Sequence, residues 1–212
     1  ITSDRVDLLF GPYSGVLALS AAQVAERHDR LLWNQGGASD TIYQQGFKRV
    51  VGILTPASRY LEGWLPLVRA VDPKAESLAI LRASTGTFAK AVTSGVESQA
   101  AQLGFKISLL REFDSSIIDF NTLLDEVGKA RPELLLGVGR IQNDLLLADQ
   151  LAQRDLGLKG VMVVATPIQQ FRDELGEAAD GFVGPSQWED TGSYPTDYGP
   201  TGAAVMASLM SK

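Results

Sequence analysis

Short apolar runs of strand length alternate along the whole chain with longer stretches of helical period. The strand-like runs fall at 6–10, 31–33, 49–53, 77–81, 105–110, 134–138, 160–164 and 182–183. Between them the spacing predicts helices at 15–28, 57–71, 88–103, 120–130, 143–156 and 168–179. Gly104, Gly157, Gly181 and Pro132 follow helix ends, where such residues stop helices. Several strand runs carry few polar residues, as strands covered on both faces do. The pattern therefore predicts an α/β fold of parallel sheets flanked by helices on both faces. In open sheets of that kind, ligands sit beyond the carboxyl ends of the strands, where the connecting loops gather.

Two loops interrupt the rhythm: NQGGASDTIYQQG at 34–46 and QWEDTGSYPTDYGP at 187–200. Long loops at strand ends either carry function or join domains. No short repeat and no low-complexity tract is present, which sets aside solenoids and linker arrays.

With 212 residues, a 45% hydrophobic composition and a mean hydropathy near zero, the chain is long enough for one large core or two modest ones. A net charge of -6 without runs of Lys or Arg argues against nucleic-acid and anionic-membrane surfaces. Without cysteine there is no thiolate nucleophile, no disulfide and no Cys-ligated zinc. The longest apolar stretches are strand-sized, too short to span a bilayer. The start at Ile1, in what reads as the end of a helix or loop, suggests a fragment of a mature protein.

The stretch LLFGPYSGVLALS (8–20) is the first with chemical content. A strand that runs through a small, polar turn into a helix leaves the first backbone N–H groups of that helix pointing outward. They stand at the positive end of its dipole and make a site for an anion. The same residues also suit an ordinary helix start, with Ser14 as cap and Gly11 in the turn.

The stretches VDLLFGPYSGVLALSAAQVAE and GGASDTIYQQGFKRVVGIL resemble the first lobe of the type I periplasmic binding proteins. The likeness is to the leucine/isoleucine/valine-binding family, which serves ABC importers. SLAILRASTGTFAKAVTSGVESQAAQLGFKI, DFNTLLDEVGKARPELLLGVGR and GEAADGFVGPSQWE are similar to its second lobe in order and spacing. The resemblance covers nearly the whole chain. It implies a two-lobed fold with an incomplete first lobe: residues 1–52 as part of lobe 1, 53–186 as lobe 2, and 187–212 crossing back to lobe 1. It also implies a small-molecule carboxylate or amino-acid ligand, a membrane permease as partner, a periplasmic or extracytoplasmic location, a monomer, and no cofactor.

By the same resemblance, the turn bearing Tyr13 and Ser14 holds the ligand's carboxylate through backbone N–H groups and the Ser14 hydroxyl. Charge-assisted bonds of that type contribute about 1.5–3 kcal/mol each. Gly37, Ala38 and Ser39 would offer a backbone carbonyl and a hydroxyl to the ligand's polar head; alternatively they form a plain connector stabilised by Asp40. Phe88 stands where the family commonly places an aromatic residue, either covering the ligand or facing the core. Arg140, at the end of LLLGVGR, replaces another such aromatic; it either meets a carboxylate or is solvated. Thr166 and Pro167 occupy the place of the acidic side chain that pairs with an α-ammonium in family members. An unpaired buried ammonium is costly, so the expected ligand has an apolar or aromatic body and no amine. Trp188 and Tyr43 are expected to line its pocket.

Enzymatic readings find little support. The single histidine, His28, lies in the polar helix end AERHDR, and one histidine cannot build a metal cluster. No nucleophile elbow, P-loop or dinucleotide fingerprint follows a strand. The expected action is closure of two lobes over a ligand. A ligand sensor of the same fold, such as an amide sensor, is the alternative.

Overall fold

The computed structural model describes residues 1, 3–188 and 199–211. Its elements follow in the order β1 (Leu8–Phe10), α1 (Gly15–Arg27), β2 (Leu31–Asn34), α2 (Asp40–Tyr43), β3 (Val50–Gly52), a 3-10 turn (Ala57–Arg59), α3 (Trp64–Val71), β4 (Ser77–Ala83) and α4 (Phe88–Leu103). They continue with β5 (Lys106–Phe113), α5 (Asn121–Ala130), β6 (Leu134–Val138), α6 (Ile141–Ala152), β7 (Gly160–Val163), α7 (Gln169–Leu175), a second 3-10 turn (Gly176–Ala179), β8 (Phe182–Val183) and α8 (Gly202–Met210).

The strands form two parallel sheets. The first has three strands in the order β1-β2-β3, and Phe10 pairs with Trp33, which pairs with Val51. Leu9, Leu32 and Val50 turn toward a small core with Ala18, Ala22, Ala25 and Ile42. The alanines let α1 lie close on the strands. The opposite face presents Leu8, Phe10, Leu31, Trp33 and Val51, all exposed. The expected cover on both faces is therefore found on one face of this sheet, among the described residues.

The second sheet has five strands in the order β5-β4-β6-β7-β8, all parallel. Leu78 to Leu81 and Leu134 to Leu136 are fully buried at its centre, as the nearly unbroken apolar runs require. Phe120, Leu124, Leu147 and Phe171 from the flanking helices complete this larger core. From β4 the chain goes to β5 on one side and then to β6 on the other, so the strand order reverses between β4 and β6. Such a reversal opens a crevice at the carboxyl ends of the two strands, because their following loops diverge.

Candidate functional site

The turn after β1 is built by hydrogen bonds to the loop after β2. Gly11 N–H donates to Trp33 O at 2.8 Å, and Ser14 N–H donates to Gly36 O at 3.1 Å. Gln35 Nε2 donates to Gly11 O at 2.6 Å. These bonds hold Ser14 at φ 89°, ψ 145°, a conformation that a residue with a Cβ rarely adopts. Such backbone strain costs about 1–3 kcal/mol and persists only where the surroundings fix it. Ser14 caps α1, its Oγ accepting from Leu17 N–H at a long 3.5 Å. Gly15 and Val16, the two residues before Leu17, have no partner four residues back inside the helix for their N–H groups. Ser14 is a helix cap, and the cap leaves amide donors at the positive end of the helix, as an anion site requires.

The loop after β2 is organised from beneath by Asn34, which is fully buried. Its Oδ1 accepts from Gly37 N–H at 2.9 Å, while its Nδ2 donates to Gly37 O at 2.7 Å and to the Tyr43 hydroxyl at 2.9 Å. Every polar hydrogen and acceptor of the amide is placed, which fixes the path of Gly37, Ala38 and Ser39. Ser39 is 3% exposed, and a Cβ on Gly15 would stand 2.5 Å from the Ser39 Cβ. Glycine at 15 is what lets the Ser14 turn and the Ser39 loop share one site. The Ser39 hydroxyl shares hydrogen bonds with Thr41 Oγ1 at 2.8 Å and Thr87 Oγ1 at 3.2 Å. Ala38 O accepts from Ala57 N–H at 2.7 Å, so one lone pair of the carbonyl expected to serve a ligand is taken inside the protein. Asp40 does not cap its own helix; its carboxylate accepts from the Ser58 amide at 3.1 Å and from the Ser58 hydroxyl.

Across from these loops stand the ends of β4 and β6. Phe88 opens α4 and is half-buried against the larger core, and its ring meets Tyr60 edge-on at 5.2 Å. Sequence reading placed Tyr60 inside a helix and missed it. The bracketing Pro56 and Gly63 signalled a turn at a strand end, where an aromatic has a pocket to line. Burial, reinforced by the nearby Tyr13 and Tyr43 hydroxyls, raises the Tyr60 hydroxyl above the usual phenol range, so it stays neutral.

Arg140 requires a correction. β6 ends at Val138, and Arg140 is the exposed residue preceding α6 rather than the end of a strand. The cause is side-chain capture of the backbone: Asn143 Oδ1 accepts from Arg140 N–H at 3.0 Å, and Asp144 Oδ1 from Gly139 N–H at 3.0 Å. Asp144 Oδ2 also accepts from Ala165 N–H at 2.9 Å, and Asn143 Nδ2 donates to Ser115 O at 3.1 Å. These two buried side chains thus tie together the loops after β5, β6 and β7. Burial pushes the Asp144 carboxyl up to about 7, with its backbone donors pulling the other way.

The hydroxyl of Thr166 turns back to Val163 O at 2.9 Å and Val183 O at 3.2 Å, so it binds β7 to β8. Trp188 is 52% exposed, and its backbone oxygen accepts from Ser186 Oγ at 2.9 Å. Tyr13 is 84% exposed beside Ser14. The fold therefore brings Tyr13, Ser14, Gly37, Ala38, Ser39 and Phe88 together, and adds Tyr43 and Tyr60. Two surface hollows, of about 540 and 330 Å³, lie elsewhere, around Leu124 to Arg131 and Leu151 to Gly160.

With this geometry in hand, the comparison with known proteins is direct. A sequence profile of the periplasmic binding proteins matches residues 1–209. The chain belongs to that family. Among solved structures, this periplasmic binding protein is similar to an ABC-transporter solute-binding protein of R. palustris in complex with 4-hydroxybenzoate. The TM-score is 0.80 at 12% identity, over 100% of this chain and 56% of that one. The leucine-binding protein of Thermotoga maritima matches with a TM-score of 0.73 at 16% identity, covering 91% of this chain and 54% of that one. An amino-acid ABC transporter substrate-binding protein of Pseudomonas fluorescens Pf-5 matches with a TM-score of 0.79 at 17% identity, over 92% and 52% of the two chains. These likenesses are of fold, and the periplasmic binding protein described here spans about half the length of each.

Proposed function

We propose that the full-length protein is an extracytoplasmic solute-binding protein of an ABC importer, which binds a small carboxylate with an apolar or aromatic body and no amine. The observation that carries this reading is the strained Ser14 turn, whose helix start is packed against the Ser39 loop, which in turn bonds to Thr87, the neighbour of Phe88. Backbone amides at a helix start hold a carboxylate without the desolvation cost of a buried lysine. The aromatic groups of Phe88 and Tyr60 suit an apolar body. At the place of an ammonium partner, Thr166 offers no charge and spends its hydroxyl on backbone.

In this reading residues 1–52 belong to the first lobe, 53–186 form the second, and 187–212 return toward the first. The two connections lie side by side, Thr55 N–H donating to Gln187 Oε1 at 3.0 Å. Ligand on the first lobe gains contacts from the second only in the closed form, so binding shifts the balance toward closure. A permease in the membrane reads that closed form, and the protein acts as a monomer without catalysis. No helix among the described residues is long and apolar enough to cross a membrane.

A thermal-shift comparison of the full-length protein with matched pairs tests this reading: leucine against 4-methylpentanoate, and phenylalanine against 3-phenylpropanoate. The deaminated acids are expected to give the larger shifts, about 2.7 kcal/mol of stabilisation at one hundred times Kd. Larger shifts with the amino acids would overturn the assignment of an amine-free ligand.

A further inference from the structure

The aromatic groups of the cleft do more than wall it. Tyr43 is held by its oxygen, which accepts from the Asn34 amide, so its own hydrogen is left to point elsewhere. That oxygen lies against Gly52 at the end of β3, where a Cβ would collide with it. Tyr60 follows the same strand and stands close enough to Tyr43 and Tyr13 for their hydroxyls to act on its own. Phe88 bounds it on the side of the second sheet. No group among the described residues forms a hydrogen bond with the Tyr60 hydroxyl, and that hydroxyl is not sealed from solvent, so a ligand can reach it. A neutral phenol both donates and accepts, so it can pair with another hydroxyl.

The position of the cluster adds a length. In the order β1-β2-β3, the end of β3 lies two strand spacings, about 10 Å, from the end of β1 where the Ser14 turn begins. An aromatic ring with a carboxylate at one end and a hydroxyl at the other, each with its hydrogen bond, fills such a span. We propose that Tyr60 is a specificity-determining residue: its ring, edge-on to Phe88, walls the ligand's body, and its hydroxyl pairs with an uncharged hydroxyl at the end of the ligand remote from the carboxylate. This rests on the reading of the cleft as a carboxylate site.

Calorimetric titration of the full-length protein with four ligands tests it: 3-phenylpropanoate, 3-(4-hydroxyphenyl)propanoate, phenylalanine and tyrosine. They differ along two axes, hydroxyl and amine. The hydroxylated acid is expected to bind about three- to ten-fold tighter than its deoxy partner. Tyr60→Phe, which keeps the ring and the packing on Phe88, should erase that preference and bring the two acids to equal affinity. Tyr60→Ala should weaken both acids. A hydroxyl preference that survives Tyr60→Phe, or that is missing while the acids bind, overturns the role of Tyr60 and leaves the carboxylate reading intact. Binding of the amino acids alone overturns the amine-free reading, and Tyr60 is then judged on tyrosine against phenylalanine. Binding of none of the four overturns both.

Discussion

Ser14 shows how one residue serves two conflicting demands. Its φ of 89° is a conformation that glycine adopts at no cost, yet its hydroxyl caps α1 and, in the proposed reading, serves the ligand's carboxylate. Replacing a capping serine by glycine costs only a few tenths of a kcal/mol, less than the strain it relieves. Ser14→Gly is therefore expected to stabilise the fold by about 1 kcal/mol while weakening carboxylate binding several-fold. Denaturant midpoints and ligand titration check the two halves separately; a variant that loses stability contradicts the strain assignment. Asp144 is a second residue under tension. Its folded-state carboxyl, near 7, lies above the ordinary 3.8, so the native state holds a proton that the unfolded chain has released between those values. Stability then falls as pH rises from about 4 to about 7. Asp144→Asn should flatten that slope in denaturation curves across this window; a parent protein whose stability rises with pH there would show that its backbone donors outweigh burial. The helix start at Ser14 and the turn before Ser39 were legible in sequence because small polar residues after a strand cap helices and form turns. Asn34 and Tyr60 were not, since their roles depend on partners brought in by the fold: Gly37 and Tyr43 for the one, Phe88 for the other.

At the scale of elements, the helix expected at 57–71 divides into a 3-10 turn and α3. Ala38 O and the Asp40 carboxylate capture the amides of Ala57 and Ser58, and Gly63 separates the two pieces. The buried Ala57, Leu61, Trp64 and Leu65 keep helical spacing, but periodicity could not reveal bonds to a loop some twenty residues earlier. α8 was missed because GAAVMASLM has no alternation of polar and apolar faces, and it has no fully buried residue in the fold. By contrast 88–103 and 134–138 match α4 and β6 residue for residue, with Gly104 closing α4 in the left-handed conformation. The 3-10 turn is also pressed by α4: a Cβ on Gly95 would come within 1.8 Å of Ser58 O. Helix propensity alone favours Gly95→Ala by about 1 kcal/mol, whereas a collision with backbone that cannot rotate away costs about 1–3 kcal/mol. The variant is expected to be less stable by chemical denaturation. A gain of about 1 kcal/mol would mean that α4 and the turn are not held in this contact.

Over the whole molecule, the two sheets point their strand ends at a common space, and the fold class was readable from alternation alone. What alternation could not supply was strand order, and with it the crevice between the loops that follow β4 and β6. Nor did it foresee the apolar face of the first sheet that is exposed among the described residues, because cover is a property of neighbours rather than of the strand's own residues. The shared bond between Ser39 and Thr87 links loops of the two sheets. The most direct measurement is a calorimetric titration of the full-length protein with 3-phenylpropanoate and with 3-phenylpropanamide, which share a body and differ in charge. Amide donors at a helix start discriminate for the anion, so the acid should bind at least ten-fold tighter, and Ser14→Gly should narrow that gap. Equal binding, or tighter binding of the amide, would contradict a carboxylate site at the Ser14 turn and favour an amide sensor instead.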